Sequence, residues 1–280
     1  MIRPGQTARA VVSLLGFAIL VAALGAPPTA VAAPRRAAIV VDMRDGSTLY
    51  ESRANARQQP ASLTKMMTLY MTFEALRDGK LGLDQRVRVS RHAARMPASK
   101  VGFRVGQLVS VRHLIRAAAI RSGNDAAVVL AEAIGGTEAG FAEMMTRRAR
   151  QLGMRNTRFR NASGLTASGH LSTPRDMALL ARHLHFDFPQ YWNIFGRTDT
   201  VAFGRRINNT NRLLRSYRGA DGIKTGYTRA AGFNLAASAE RNGRHVVAIL
   251  FGGSSSATRN REVARLLDIG FDRAPLRVAA

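Results

Sequence analysis

The 280-residue chain contains no cysteine, and this absence excludes several kinds of site. Without thiols there is no disulfide scaffold, no cysteine-ligated zinc or iron–sulfur centre and no cysteine nucleophile. Aromatic residues are also scarce, at 6% with a single tryptophan, so the stacking platforms of nucleic-acid-binding proteins are sparse. We therefore expect no nucleic-acid partner, no metal and no organic cofactor.

Lysine and acidic residues are both few, although the chain is strongly basic. It has 42 Lys+Arg against 18 Asp+Glu, a formal charge of +24, and only four of the basic residues are lysine. A genome that favours arginine codons explains most of this excess. Because arginine keeps its proton whereas a desolvated lysine can lose it, a position that needs a neutral amine must keep lysine. The positions of the few lysines are therefore informative.

The charge alone raises one non-enzymatic alternative, a cationic envelope protein that binds polyanions. No nucleic-acid-binding module is recognisable in the sequence. The arginine doublets are scattered and form no stripe: Arg35-Arg36, Arg147-Arg148 and Arg205-Arg206. This arrangement predicts general attraction to an anionic surface without specific recognition.

The first 33 residues are typical of a signal peptide. Arg3 and Arg9 precede an apolar run, residues 10–26, and the small residues Ala30-Val31-Ala32 suit signal-peptidase cleavage. The run of about 17 apolar residues is short for a membrane span, which needs about 20, and an uncleaved anchor is the alternative. We expect removal of residues 1–33, a charge of +22 and a secreted or periplasmic protein drawn to anionic envelope surfaces.

Strand patterns lie at both ends of the remaining chain, and helix patterns fill its middle. The β-branched runs 37–42 and 245–251 each belong to a predicted hairpin, with turns at Asp45-Gly46 and Asn242-Gly243. Apolar periodicity and capping residues predict helices over residues 63–76, 109–134 with a break at Ser122-Gly123-Asn124, 141–152, 174–183 and 258–269.

These patterns predict an α/β (α+β) fold. We expect an antiparallel sheet, built from N- and C-terminal segments and packed with helices, plus a helical subdomain. The expected boundaries are a single domain at residues 34–275 and a short tail at 276–280.

Ser62 and Lys65 form the first candidate pair for chemistry. They lie three residues apart at the start of the apolar pattern 63–76, and residues i and i+3 share one face of a helix. Burial disfavours the charged form of an amine and lowers its pKa. A neutral Lys65 could then accept the proton of Ser62 and make that serine a nucleophile. None of the other three lysines has a serine at this spacing, so the pattern occurs once.

Two further patterns also occur once each. Ser122 and Asn124 place a hydroxyl and an amide at a helix break, and Lys224, Thr225 and Gly226 open the C-terminal strand region. Taken singly, each pattern is equally typical of an ordinary loop or an edge strand. Together with the first pair they give, in chain order, the Ser-x-x-Lys, Ser-x-Asn and Lys-Thr-Gly motifs of penicillin-binding proteins and class A β-lactamases.

The chain therefore resembles the penicillin-binding protein superfamily, and most closely the low-molecular-mass D-alanyl-D-alanine carboxypeptidases, over nearly all of residues 37–271. The resemblance implies a β-lactamase/transpeptidase-like fold and a catalytic domain that needs no cofactor. It also implies peptidoglycan stem peptides as substrates and β-lactam antibiotics as covalent inhibitors. Many such enzymes carry a C-terminal amphipathic anchor. This sequence ends about nine residues after Phe271, so no C-terminal membrane anchor is expected.

The resemblance also implies a role for each residue of the first two motifs. Ser62 would attack the D-Ala-D-Ala carbonyl and carry the acyl group, with Lys65 as its general base. Ser122 would relay a proton to the leaving D-alanine. Asn124 would hold the substrate amide and orient the lysine.

The third motif is expected to bind substrate. Lys224, Thr225 and Gly226 would line the substrate strand, and the backbone N–H of Tyr227 would complete an oxyanion hole with that of the nucleophile. An arginine after the C-terminal hairpin would hold the free carboxylate. Arg261 is the best match by sequence, and Arg259 lies close enough to remain an alternative.

Other hydrolase mechanisms fit the sequence less well. A class A β-lactamase needs a glutamate between the second and third motifs, and none lies between Glu143 and Glu240. A DD-endopeptidase that cleaves peptidoglycan cross-links remains an open alternative. A Ser-His-Asp hydrolase is not supported, because no Gly-x-Ser-x-Gly elbow is present. His183 and His185 lack a matching acidic motif for a metal.

Overall fold

A computed structural model of the chain describes residues 35–202 and 204–276. The predicted signal peptide, residues 1–33, lies outside the described residues, and so do residues 277–280 of the predicted tail. Among the helices that are described, none is both long and apolar enough to cross a membrane.

Five antiparallel strands form the main sheet, in the order β2-β1-β9-β8-β7. Two separate two-stranded ribbons, β3-β4 and β5-β6, lie outside it. The strands are β1 (Ala37–Asp42), β2 (Thr48–Ser52), β3 (Arg86–Arg88), β4 (Leu108–Ser110), β5 (Asp199–Ala202), β6 (Arg205–Asn208), β7 (Ala220–Thr228), β8 (Gly232–Arg241) and β9 (Arg244–Gly253). Because β1 pairs with β9, the predicted sheet of N- and C-terminal segments is confirmed.

Nine α-helices occupy the described residues, most of them between β2 and β7. They are α1 (Lys65–Arg77), α2 (Arg91–Ala94), α3 (Val111–Arg116), α4 (Asn124–Gly135), α5 (Glu138–Gln151), α6 (Pro174–Asp187), α7 (Pro189–Gly196), α8 (Leu213–Ser216) and α9 (Ser256–Arg273). A 3₁₀ turn, Ala61–Thr64, leads directly into α1, and a π-helical segment, Ala117–Arg121, extends α3.

Both faces of the sheet are covered at β1, β7, β8 and β9, which explains why these four strands are buried along most of their length, whereas the edge strand β2 is not. Ile39 and Val41 of β1 point into a large apolar cluster with α1 and α6, whereas Ala38 and Val40 point into a second cluster with α9. This alternation is the period of two that a pleated strand imposes. The helix α1 lies inside the large cluster and is buried on nearly every side, as its sequence predicts.

Local turn and capping chemistry sets several of these boundaries. Asn242 and Gly243 both have positive φ, +51° and +71°, as a two-residue hairpin turn between β8 and β9 requires. The Thr173 side chain accepts a hydrogen bond from the Asp176 N–H and caps α6, which begins at Pro174. The fold thereby brings three features to one cleft: the turn before α1, the start of α4 and the edge strand β7.

Candidate active site

Ser62 and Lys65 lie on one side of the turn that opens α1. Ser62 belongs to the 3₁₀ turn and Lys65 is the first residue of the helix, and the Lys65 Nζ lies 3.0 Å from the Ser62 Oγ. The lysine side chain is fully buried. The spacing read from the sequence therefore places the amine within hydrogen-bond distance of the hydroxyl.

Two further oxygens contact the Lys65 amine. Its Nζ donates to the Asn124 Oδ1 at 2.8 Å and to the Ser163 carbonyl oxygen at 2.6 Å. Both oxygens can only accept, so they take two N–H groups. A neutral amine has two N–H groups and one lone pair, which then faces the Ser62 hydroxyl. The three contacts of Lys65 are therefore compatible with a neutral amine that accepts a hydrogen bond from Ser62.

The surroundings also favour this neutral form. Burial lowers the pKa of Lys65 well below its usual value, and the nearby positive charge of Lys224 lowers it further. The carboxylates of Asp125 and Glu138 act in the opposite direction with smaller effect. A lowered pKa increases the share of the neutral amine, which is the form that can accept a proton.

The Ser-x-Asn motif bends the chain at the end of the π-helical segment. Ser122 has φ +64°, and Asn124 begins α4 immediately afterwards. The Asn124 Nδ2 donates to the Pro97 carbonyl at 2.9 Å, which fixes the amide with its oxygen toward Lys65. The predicted helix break is confirmed, and it turns both polar side chains into the cleft.

The strand β7 forms the opposite wall. It is the edge strand of the sheet, so alternate backbone N–H groups along it have no partner strand. A Cβ on Gly226 would lie 3.0 Å from the Ser62 N, so glycine allows β7 to approach the serine turn closely. The hydroxyl of Thr225 lies 2.7 Å from that of Thr210.

Lys224 is buried on the same strand, and its Nζ donates to the Thr225 carbonyl at 2.9 Å. Burial lowers the pKa of Lys224 to about 7, with a smaller contribution from the Arg259 guanidinium. This amine is therefore close to the boundary between its charged and neutral forms at physiological pH.

The walls enclose an open cleft of about 350 Å³. Ser62, Ser122, Asn124, Thr225 and Tyr227 all line it. No carboxylate is found among the described residues that line this cleft. Hydroxyl, amide and cationic groups therefore dominate its chemistry.

The structure places the two arginines that the sequence offers for the carboxylate in different surroundings. Arg261 is exposed, its Nη2 lies 3.4 Å from the Thr258 Oγ1, and it does not line the cleft. Arg259 lines the cleft and is only 4% exposed. Both belong to α9, and positions two apart on a helix point about 200° apart, so only one of the two can face the cleft.

Sequence reasoning missed two groups that complete the site. The Ser163 carbonyl contacts the Lys65 amine, and Thr210 contacts the Thr225 hydroxyl. Gly164, with φ +83°, packs directly on the Ala61 carbonyl in the serine turn. A backbone carbonyl has no residue-type signal, so only sequence similarity to relatives around Ser163 and Thr210 could have indicated these two groups.

Comparisons with known proteins agree with this geometry. A family model described as D-alanyl-D-alanine carboxypeptidase matches residues 24–255. The D-alanyl-D-alanine carboxypeptidase DacF of Bacillus subtilis (strain 168) is 39% identical over 246 residues, covering 85% of this chain and 62% of the relative. The chain thus spans about three fifths of the length of DacF and of the Dac carboxypeptidases of Escherichia coli that it matches.

Solved structures show the same relationship. Penicillin-binding protein 5 from Haemophilus influenzae is 35% identical with a TM-score of 0.81, covering 84% of this chain and 70% of that chain. Penicillin-binding protein D2 from Listeria monocytogenes, in the ampicillin-bound form, is 32% identical with a TM-score of 0.78. That match covers 84% of this chain and 96% of the Listeria chain. The expected fold class and the expected family resemblance are confirmed.

Proposed function

Because the chain belongs to the D-alanyl-D-alanine carboxypeptidase family, we propose that it removes the terminal D-alanine from peptidoglycan stem peptides through an acyl-enzyme on Ser62. The observation that carries this proposal is the buried Lys65 amine, whose Nζ lies 3.0 Å from the Ser62 Oγ and is held there by the Asn124 Oδ1 and the Ser163 carbonyl oxygen. This arrangement supports a serine activated by a lysine general base.

The positions of the three motifs around Ser62 indicate how each residue takes part in acylation. Lys65 takes the Ser62 proton as the Ser62 Oγ bonds to the carbonyl carbon between the two D-alanines. The backbone N–H groups of Ser62 and Tyr227 stabilise the resulting oxyanion. The C–N bond then breaks, and Ser122 relays the proton held by Lys65 to the leaving D-alanine amine. In deacylation a water molecule bonds to the ester carbonyl carbon and gives one proton to Lys65. The bond from that carbon to the Ser62 Oγ then breaks, the Oγ takes this proton, and the shortened peptide leaves as its carboxylic acid.

Two buried cations support recognition of a free carboxylate. Arg259 lines the cleft and Lys224 lies behind it, and neither has an ion pair with a carboxylate among the described residues. Buried charges are normally paired, because desolvation is costly. We assign the terminal carboxylate of the substrate to Arg259, with Thr225 and Gly226 along the substrate backbone.

The same site should react with β-lactam antibiotics. The Listeria relative has been solved in ampicillin-bound and cefotaxime-bound forms. In this chain no carboxylate lines the described cleft, so no group is positioned to activate water as the glutamate of class A β-lactamases does. We expect a long-lived penicillin adduct on Ser62 rather than rapid turnover.

The proposal extends to location and domain boundaries. Residues 1–33 carry the features of a signal peptide, which supports a role outside the cytoplasm, with residues 34–275 as the catalytic domain and 276–280 as a short tail. The basic charge supports attraction to anionic envelope surfaces.

Purified muropeptides provide the direct test. The mature protein is incubated with pentapeptide monomers and with cross-linked dimers, and the products are identified by mass. We expect monomers to lose D-alanine, and we expect Ser62→Ala to abolish this release while Ser216→Ala, at an exposed serine, retains it. Cleavage of dimers alone would instead establish the endopeptidase, and D-alanine release by Ser62→Ala at the wild-type rate would overturn the mechanism.

A further inference from the structure

A second cavity, of about 560 Å³, adjoins the catalytic cleft. Four cationic side chains line it: Lys100, Arg104, Arg121 and Arg206. No aspartate or glutamate is among its described lining residues. We call it the basic cavity.

The basic cavity and the catalytic cleft share two stretches of backbone. Ser99 lines the cleft and Lys100 lines the basic cavity; likewise Arg121 lines the basic cavity and Ser122 lines the cleft. Neighbouring Cα atoms are about 3.8 Å apart, so the two spaces are separated by roughly one residue at each place. The distance between the two spaces is therefore within the length of a short extended peptide bound at Ser62.

Hydrogen bonds to the start of α4 fix the wall that these spaces share. The Asn124 N–H donates to the Ser99 carbonyl at 2.7 Å, and the Ser99 Oγ donates to the Arg121 carbonyl at 3.0 Å. The buried Asp125 carboxylate accepts from the backbone N–H groups of Val101 and Gly102 at 3.0 and 2.8 Å. The helix end that presents the Asn124 amide to the cleft thus also holds the loop of the basic cavity.

Most of the charge in the basic cavity is not neutralised. The Arg206 Nη2 forms an ion pair with Asp199 at 2.8 Å. Lys100, Arg104 and Arg121 form no ion pair with any residue that the structure describes. Three like charges around one space repel each other, and an anionic ligand between them would relieve this repulsion.

We propose that the basic cavity is a subsite for the carboxylates of an acidic stem peptide, on the acyl side of the scissile bond. This inference rests on the proposed function. Arg259 lines the catalytic cleft and is absent from the basic cavity, so it remains available for the terminal carboxylate. The preceding residues of the same peptide then extend past Ser99 and Ser122. Free carboxylates on those residues, as on a γ-linked glutamate, are the groups that Lys100, Arg104 and Arg121 would bind.

The test compares two pentapeptides that end in D-Ala-D-Ala, one with free side-chain and α-carboxylates before this pair and one with these groups amidated. The enzymes are the mature wild type, a Lys100→Gln/Arg104→Gln/Arg121→Gln variant and a control, Arg155→Gln/Arg218→Gln/Arg265→Gln. The control removes the same charge from exposed arginines outside both cavities. The readout is kcat/KM for D-alanine release.

We expect the wild type to favour the acidic peptide by about tenfold at low salt, as three exposed charge pairs would give. The basic-cavity variant should lose this preference and the control should keep it. In 1 M salt, where the Debye length is about 3 Å, the wild-type preference should largely disappear. Equal kcat/KM for both peptides in the wild type, or an equal loss of preference in both variants, would overturn the subsite.

Two additional measurements distinguish failure of the subsite from damage to the catalytic cleft and from failure of the proposed function. Fluorescent-penicillin acylation of the basic-cavity variant reports whether the catalytic cleft is intact. If it is damaged, Lys100→Gln and Arg104→Gln are tested singly, and an unchanged preference in both contradicts the subsite. Binding of labelled acidic and amidated peptides to Ser62→Ala needs no turnover. If the wild type releases no D-alanine but Ser62→Ala still prefers the acidic peptide in binding, only the proposed function is contradicted. If the wild type releases D-alanine but Ser62→Ala binds both peptides equally, only the subsite is contradicted.

Discussion

Two buried lysines contact residues that line the catalytic cleft, but they are suited to different tasks. Lys65 lies between acceptor oxygens that match a neutral amine, and its pKa is lowered well below the usual value by burial and by Lys224. Lys224 has a pKa of about 7 and lies near the cationic Arg259. The first is arranged to accept a proton, and the second can still carry the charge that attracts a carboxylate. Retention of lysine at position 65 in an arginine-rich chain follows from this chemistry, because arginine could not accept the proton.

Lys65→Arg tests the general base. A guanidinium cannot give up its proton in a protein, so we expect the acylation rate with penicillin at pH 7 to fall by about 10³-fold. The measurement is stopped-flow or gel-based acylation by a fluorescent penicillin. Lys80→Arg, at a side chain that is 74% exposed, is the matched control and should react like the wild type. A Lys65→Arg variant that acylates within a few-fold of the wild type would exclude this lysine as the base.

The pH dependence of kcat/KM tests Lys224. Protonated Lys224 attracts the substrate carboxylate, and this charge is lost as the pH rises through a pKa of about 7, so kcat/KM should fall above that pH. In Lys224→Arg the positive charge persists, and the descending limb near pH 7 should be absent whatever the absolute rate. An identical descending limb in both proteins would show that another group titrates there.

At the scale of elements, the turn that carries Ser62 is held from outside by Gly164. This glycine has φ +83°, and a methyl group on it would overlap the Ala61 carbonyl oxygen. We expect Gly164→Ala to lower the unfolding free energy by about 3 kcal/mol and to slow acylation by about 100-fold, because the serine turn must shift. Urea unfolding and penicillin acylation measure the two effects.

Gly169→Ala provides the control for backbone strain alone. Gly169 also has positive φ, +70°, but its added Cβ would lie 3.5 Å from the nearest atom of Arg160. We expect Gly169→Ala to lower the unfolding free energy by only about 1 kcal/mol and to leave the acylation rate unchanged. Equal effects of the two substitutions would mean that contact with the serine turn is unimportant.

His170 links the same turn to the loop after α5. Its Nδ1 accepts from the Arg160 N–H at 3.1 Å, so the hydrogen lies on Nε2, which donates to the Thr64 Oγ1 at 2.8 Å. Burial lowers the pKa of His170 from 6.5 to about 4. The unfolded chain therefore binds this proton more readily than the native protein, and the stability contribution, complete above pH 6.5, is lost as the pH falls toward 4.

We expect this loss to reach about 3 kcal/mol at pH 4. Urea unfolding at pH 7 and pH 4 measures this loss. His170→Gln cannot titrate, so between these pH values its unfolding free energy should fall by about 3 kcal/mol less than that of the wild type. A variant with the same pH dependence as the wild type would contradict the assignment to His170.

Elements with strong local chemistry could be predicted from the sequence. The Asn242-Gly243 turn, the Thr173 cap and the all-apolar helix α1 each depend on neighbouring residues. The ribbons β3-β4 and β5-β6 could not, because their strands have only three or four residues each, several of them arginine. Such short polar strands are fixed by tertiary contacts rather than by their own propensity.

The site residues also divide into those that local sequence predicts and those that tertiary contacts place. The Ser62–Lys65 pair follows from helix geometry, but the approach of Asn124 and β7 depends on the packing of distant segments, and family resemblance supplied that expectation. The choice between Arg259 and Arg261 depends on the rotational phase of α9. Its first residue, Ser256, lies two positions before the predicted start. The phase is set instead by the apolar residues of α9 that pack inward, and Arg259 lies on their face, four positions before Val263.

At the scale of the whole molecule, the charge of +24 and the scarcity of lysine have different meanings. The arginines are spread over the surface, and we assign to them a general attraction to anionic envelope material. The lysines are few enough to be followed one at a time. This scarcity turns the composition into an experimental advantage, because each lysine can be observed in the intact protein.

The most direct measurement is the titration of the Lys65 side chain in the mature protein by ¹³C NMR of labelled lysine. With four lysines in the sequence the spectrum is simple, and loss of one resonance in Lys65→Arg assigns it. We predict that Lys65 titrates well below its usual pKa of 10.5 and is neutral at the pH where Ser62 is acylated. A Lys65 resonance that titrates near 10.5 in the free enzyme would contradict the proposed general base.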